Sequence, residues 1–358
     1  MLPSKVVSAL RRGPAFVFAV VILLLLSGVH LSCTPTPRPT PSPTPTPTPT
    51  PRAVTCTGTL QSKIDAAPAG SVLNLPGCTY PAGATIRKSI TILGGTIRPS
   101  RGTSGLLVLA SEVTIDGLRV AGPQGTTYDQ DEIGIEVQGT VTAPISGLTI
   151  RNCEIGTLGY GGLYIRHAAS FVIENNLIRD GVYAGIMVIS GRGGLIAGNT
   201  VQRIGVYGAA ANENNAYGIA LTRGGGDLST DPRSADIIVS GNTVEDVPTW
   251  HAYDTHGGER ITWTDNTARR SRSGVFITGS PSRSGTIRSL DNDVNGNAIY
   301  APTDADHYAI TSVYSTGGYV RSNTIVGWPS GHEILTTSAG DPDATAVNLT
   351  VSGNTITR

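Results

Sequence analysis

The chain has 358 residues, with 26 Lys and Arg against 26 Asp and Glu, and therefore no formal net charge. That balance supplies no whole-chain field for nucleic acid or for an anionic bilayer, so any charged ligand must meet a local patch. Its 45 Gly, with only 2 Met and 4 Phe, argue against a compact α/β enzyme and for short strands separated by tight turns.

Residues 1–33 begin with Lys5, Arg11 and Arg12, pass through an apolar run from Phe16 to Leu26, and end in small and polar residues at Cys33. This is the layout of a secretory signal. The stretch Leu26-Ser-Gly-Val-His-Leu-Ser-Cys33 resembles a bacterial lipoprotein signal, which implies that Cys33 becomes a lipidated first residue. Left uncleaved, Phe16 to Ser32 approaches the ~17 to 25 residues that span a bilayer. Export with attachment at the cell surface is expected either way, and the membrane is expected to be touched only through this segment.

Residues 34–52 alternate Pro with Thr. Each Pro fixes φ and removes a donor, so the segment cannot pack and reads as a polyproline II spacer of ~3.1 Å per residue. A glycosylated or disordered linker without geometric purpose is the plainer alternative. The folded domain is then residues 53–358.

That domain opens with Leu60, Ile64 and Ala67 at helical spacing, followed by a Pro68-Ala-Gly70 stop and an apolar strand. A short amphipathic helix of this kind caps the exposed end of a solenoid. The stretch resembles the N-terminal cap of pectate-lyase-like β-helix proteins. Cys56 and Cys78 flank the first turn and could close a disulfide in an exported protein, while Cys153 reads as a buried packing residue.

Beyond the cap one pattern recurs: an apolar strand, a break, a second apolar strand, then Asn and an aliphatic pair. Copies end at Asn176, Asn199, Asn242, Asn266, Asn292, Asn323 and Asn354, with Cys153 filling an eighth slot, and neighbours lie 23 to 26 residues apart where no insertion intervenes. The period predicts an all-β, right-handed parallel β-helix of about ten coils, with the Asn side chains stacked as a ladder that satisfies buried backbone groups. In the other half of each coil, Leu163, Ile165, Ile186, Val188, Ile219, Leu221, Val275 and Ile277 are expected inward. Their neighbours, including Tyr164, Arg166, Tyr253 and Thr255, are then expected outward. Insertions at 208–216, 224–235 and 296–308 gather around this strand and wall a groove.

One coil departs from the pattern. Where others read Gly-Ile-x-Leu, it has His251-Ala-Tyr253-Asp254-Thr-His256, which by this alignment puts Asp254 in an inward slot, an expensive place for an unpaired carboxylate. A local rule broken in mid-solenoid marks a functional position.

The Asp254-Thr255-His256 triplet resembles the Asp-Pro-His motif of the mannuronan 5-epimerases, β-helix enzymes that act on alginate. Gly225-Gly226-Asp227, Ile237-Ile-Val and Gly274-Val-Phe run parallel to that family as well, while His251 stands where the family has Tyr. The resemblance implies proton abstraction at carbon 5 of an acidic polysaccharide, by a lyase or an epimerase. His256 is then the base, Asp254 tunes it, and Tyr253 or His251 returns a proton. Arg223, Arg166 and His167 are candidates for gripping carboxylates, with Tyr164, Trp250 and Arg260 as further substrate contacts. No cofactor is expected. His251, Asp254 and His256 are metal-ligating types, but no dense acidic cluster suggests calcium, and no metal is expected. A single chain without protein partners is expected.

Two other readings stay open. A glycoside hydrolase on the same scaffold needs two carboxylates across the groove, for which Asp131, Glu132 and Glu213 are loop candidates. A noncatalytic glycan-binding or structural surface protein needs neither, and an Asp-x-His can simply bond its own turn.

Overall fold

A computed structural model of the chain describes residues 56–123, 127–206, 215–282, 285–338 and 341–358. The signal and spacer segments, residues 1–33 and 34–52, lie outside the described residues. No helix among the described residues is long and apolar enough to cross a membrane.

The first element is the expected cap, a helix over Leu60–Ala66 that buries Leu60 and Ile64. Thr59 accepts the Ser62 amide and Ser62 accepts the Thr59 amide, a reciprocal cap that satisfies two N-terminal donors. Cys56 and Cys78 are joined in a disulfide with Cα atoms 5.3 Å apart, tying the cap to the first coil.

The rest is a parallel β-helix. On its first face eleven strands stack in parallel from Val72–Asn74 to Thr350–Ser352, one coil more than the period suggests. Coils join through direct parallel pairs, such as Ile173 beside Ile150 and Ile196 beside Ile173. Inward rows from three faces merge into a single apolar core running the length of the solenoid.

The Asn ladder sits at the turn between the first and second faces. In each step the side-chain carbonyl of one Asn accepts both the backbone N–H and the side-chain amide of the Asn one coil before. Asn242 Oδ1, for example, receives Asn199 N at 2.9 Å and Asn199 Nδ2 at 2.9 Å. The amide also donates to a carbonyl one coil back, as Asn242 Nδ2 does to Ile196 O. All three bonds lie inside the protein, where an unmet donor would cost about 1–3 kcal/mol. Cys153 occupies the first slot, giving its N–H to Asn176 Oδ1. One assignment is corrected. The slot after Asn266 belongs to Asn297, which accepts Asn266 N at 3.0 Å. Asn292 lies before the strand Asp293–Asn295 and serves Ile261 N instead. Both are followed by a strand with a buried aliphatic residue, so the sequence pattern alone does not separate them.

The third face carries the groove. Here Gly162, Gly185, Gly218 and Gly274 recur because a Cβ at each would strike Ile178, Val201, Val244 and Ile299 within 2.3 to 2.4 Å. At the divergent coil Ala252 takes this place, and the residue corresponding to those aliphatics in the next coil is Ala268. Added bulk on one side coincides with lost bulk on the other. Ala252, rather than His251, is therefore the equivalent of Gly218. Tyr217 pairs with His251, Ala220 with Asp254 and Thr222 with His256. A one-residue change of register exchanges the two faces of a strand, so the expected orientations at this coil reverse. Asp254 belongs to the outward row, whereas Tyr253 and Thr255 point into the core.

Candidate functional site

The divergent coil is built on the strand Thr243–His256, which runs without interruption around the corner between second and third faces. Its neighbour Thr267–Thr278 does the same. Between them Val247 pairs with Ser271 and His251 with Ser273, so Pro248, Thr249 and Trp250 form a bulge. Pro248 has no N–H to lose from the ladder. The bulge sets Trp250 against the His251 imidazole, with ring centroids 4.6 Å apart, and Phe276 of the next coil stacks on the same imidazole at 4.0 Å and 13°.

Asp254 lies between two histidines on this outward row. His251 Nδ1 donates to Asp254 Oδ2, leaving a buried Nε2 with no hydrogen-bond partner among the described residues. On the other side His256 Nε2 lies 3.1 Å from Asp254 Oδ1, close enough for an ion pair but poorly aligned for a hydrogen bond. Asp254 and His251 are fully buried, whereas 30% of the His256 side chain remains exposed. Burial pushes the Asp254 carboxyl up, but the His256 charge and the His251 bond outweigh it and hold it at about 2. Burial dominates at His251 despite Asp254, lowering its pKa. At His256 burial also opposes the charged form, yet the Asp254 carboxylate prevails and raises the pKa above 6.5. The resulting order is a neutral inner imidazole, a carboxylate anion and an outer imidazole that readily holds a proton.

The outer imidazole faces a cavity of about 170 Å³, lined by Tyr160, Tyr183, Tyr217, Met187, Ile189, Ala220 and Thr222 as well as Asp254 and His256. Its tyrosines form a chain of ring contacts across successive coils. Tyr160 meets Tyr183 at 5.0 Å, Tyr183 meets Tyr217 at 5.5 Å, and Tyr217 meets His251 at 6.1 Å. Burial is the main cause that raises the Tyr183 phenol to about 12, with Tyr128 and the Asp254 charge adding to it, so Tyr183 is a protonated donor. A larger cavity of about 620 Å³ lies at the corner formed by Arg203, Pro248, Arg270 and Pro302. None of the predicted site residues lines it.

Several expectations change in place or role. Tyr253 is fully buried, with its hydroxyl 2.9 Å from both Asn242 O and Thr267 O and its one proton shared between these acceptors, so it cannot reach a substrate. Arg223 is also buried: it donates to the carbonyls of Asp231, Gly226 and Pro281 and to Ser280 Oγ, binding the 224–231 loop to the hairpin at 280–287. A guanidinium so occupied does not grip a substrate carboxylate. Arg166 and Tyr164 do lie on the groove floor, where Arg166 contacts Asp231 at 3.1 Å and keeps 44% of its side chain exposed. His167 is buried beyond the turn and lines a separate cavity with Ser190 and Pro232. Trp250 belongs to the wall. Arg260 sits at the turn into the first face in an ion pair with Asp236, away from the groove.

Of the loop carboxylates, Glu132 is buried and accepts the N–H groups of Gly102 and Gly159, a structural commitment. Asp131 is exposed, and Glu213 lies outside the described residues. Tyr128, Tyr160, Tyr183 and Tyr217 were not singled out by the sequence reading. Their signal was an aromatic recurring just before the third-face strand in successive coils.

The family model for a right-handed β-helix region matches residues 83–356. No curated protein matches the chain. Among solved structures, GH136 lacto-N-biosidase from Eubacterium ramulus has a TM-score of 0.54 at 12% identity, over 78% of this chain and 51% of that one. DFA-IIIase from Arthrobacter chlorophenolicus A6, solved with GF2, has a TM-score of 0.53 at 17% identity, over 80% and 73%. Polygalacturonase from Erwinia carotovora ssp. carotovora has 0.51 at 12%, over 84% and 92%. The chain spans about half the length of the lacto-N-biosidase, and at these identities the likeness concerns the fold. With the family match extending over most of its length, this chain belongs to the right-handed β-helix family.

Proposed function

We propose that the chain is a carbohydrate-active β-helix protein that abstracts the carbon-5 proton of a uronate unit, with His256 as the base and Tyr183 as the proton donor. The observation that carries this reading is the Asp254–His256 pair, exposed only through His256 at a tyrosine-lined cavity. Asp254 stabilises the imidazolium that forms when His256 takes the proton. Tyr183 replaces Tyr253 as the group that can return a proton to the sugar or to a leaving oxygen. Elimination and epimerisation share the first step. In elimination the C4–O bond then breaks, a C4=C5 double bond forms and the leaving oxygen takes a proton, whereas in epimerisation carbon 5 is reprotonated from the opposite face.

Hydrolysis is the second reading, favoured by the names of the structural neighbours, which include a lacto-N-biosidase and a polygalacturonase. It requires two carboxylates about 5 to 9.5 Å apart across the scissile bond. Asp254, the one carboxylate lining this cavity among the described residues, is already held between two imidazoles.

The test is a panel of alginate, pectate and other uronans, read for unsaturated product, for solvent deuterium at carbon 5 and for new reducing ends. Unsaturation or deuterium uptake is expected, with His256→Ala lowering it about 10²- to 10⁴-fold. Reducing ends without either signal would establish hydrolysis. A folded protein inactive on every uronan would refute the carbon-5 reading.

The same reading puts the protein outside the cell, held by lipid at Cys33 or by the apolar N-terminal segment. The Cys56–Cys78 disulfide supports an oxidising compartment. Fatty-acid labelling that disappears in Cys33→Ser, while surface exposure to protease is lost, is the outcome expected of a lipoprotein.

A further inference from the structure

The charge on the groove floor is distributed in a way that narrows the substrate. Parallel pairing sets the outward rows: Tyr164, Met187, Ala220 and Asp254 form one, while Arg166, Ile189, Thr222 and His256 form the next. Between Arg166 and His256 lie two coils whose floor residues carry no charge. Neighbouring coils stand ~4.8 Å apart, which puts Arg166 and His256 about 14 Å from each other. Each already faces a carboxylate, Asp231 at Arg166 and Asp254 at His256. Met187, Ala220 and Tyr217 form a separate, nearly covered apolar cluster beneath the groove, and the half-buried Tyr164, Tyr183 and Ile189 pack against it. Among the described residues, the floor between Arg166 and His256 therefore offers the half-buried Tyr164, Tyr183 and Ile189 and no uncompensated positive charge.

A uronate carboxylate placed over that stretch would lose water and gain no counter-charge, with the Asp231 and Asp254 anions on either side. A neutral pyranose, by contrast, can lay its C–H face on the half-buried Tyr183 and Ile189. Building on the carbon-5 reading, we infer that the substrate is a heteropolysaccharide in which an acidic unit at His256 is followed, towards Arg166, by neutral sugars lying on Tyr183 and Ile189. Specificity then comes from the neutral units as much as from the acidic one.

The experiment compares glucose-based pentasaccharides carrying glucuronate at no position, at one end, or at every position. Binding to the full chain is measured by calorimetry, with His256→Gln used to prevent turnover. The single-glucuronate compound is expected to bind about tenfold more tightly than the fully acidic one, and Tyr183→Ala is expected to remove that preference. Tyr183→Phe retains the ring and should keep most of it, which separates stacking from loss of structure. A fully acidic pentasaccharide that binds as tightly or more tightly, or a preference untouched by Tyr183→Ala in a protein of unchanged melting temperature, overturns the inference. Turnover is read separately on the unmodified chain. Binding with the expected preference but no carbon-5 chemistry refutes the proton-abstraction reading alone, and turnover of the fully acidic compound without tyrosine dependence refutes this inference alone.

Discussion

Replacing Asp254 by Asn retains the shape of the side chain and removes the charge between the two histidines. In the native protein the carboxyl stands at about 2 against an ordinary 3.8. At 1.36 kcal/mol per pH unit the difference corresponds to about 2 kcal/mol of stability. Because folding depresses this pKa, the contribution is complete above the unfolded value near 4 and is lost as the pH falls through about 2. His256 carries the opposite sign. Its raised folded pKa gives a stabilisation that is present below 6.5 and is lost as the pH rises through the folded value. In Asp254→Asn only burial acts on His256, so its pKa should move from above 6.5 to below it, and the unfolding free energy at pH 7 should fall by about 2 kcal/mol. The imidazole Cε1 proton can be followed by NMR titration, with the His256 signal assigned by its disappearance in His256→Ala, and stability by urea unfolding. An imidazole that still titrates above 6.5 in the Asn variant would refute the assignment of Asp254 as its counter-charge. If the carbon-5 reading holds, the acid limb of the activity profile should move to lower pH in parallel.

Cys153 is buried, and burial raises its thiol to about 12, so it should resist thiol reagents until the protein unfolds. Its Sγ lies 3.7 Å from Ile115 O, the kind of carbonyl that the ladder amides serve, so Cys153→Asn should extend the ladder by one rung and raise the melting temperature by a few degrees, read by calorimetry. Ala268→Val should restore bulk opposite Ala252 and cost about 1–3 kcal/mol through overpacking, measured by urea unfolding, whereas the same change in a glycine-containing coil is the native arrangement. Arg223→Ala should free the 224–231 loop from the 280–287 hairpin, increasing proteolytic cleavage there while binding of a neutral oligosaccharide at Tyr183 stays within twofold.

Architecture was legible because periodicity constrains every coil at once. The Asn repeat, the apolar alternation and the helical cap all agree, and local rules that agree specify one fold. Orientation at the divergent coil was less legible because it rests on a single choice, whether His251 or Ala252 is the equivalent of Gly218. The Ala252 and Ala268 exchange resolves that choice, but the signal is spread over two coils and requires knowing which positions touch. Roles for arginines were harder still. Arg223, Arg166 and Arg260 have the same chemistry in sequence, and only the carbonyls and carboxylates around them decide which is a clamp, which lines the groove and which braces a distant turn. The tyrosine chain was missed because its members precede the strand that was used to align the coils.

The Asn ladder also has a consequence for how such a protein can vary. Successive rungs are separated by 23, 43, 24, 31, 26 and 31 residues, yet every rung makes the same bonds. The amides thus hold the angular phase of each coil independently of the chain length between them. A loop can lengthen at the rim without rotating the strands beneath it, so the walls of the groove are free to be remodelled while Asp254 and His256 keep their place relative to the floor.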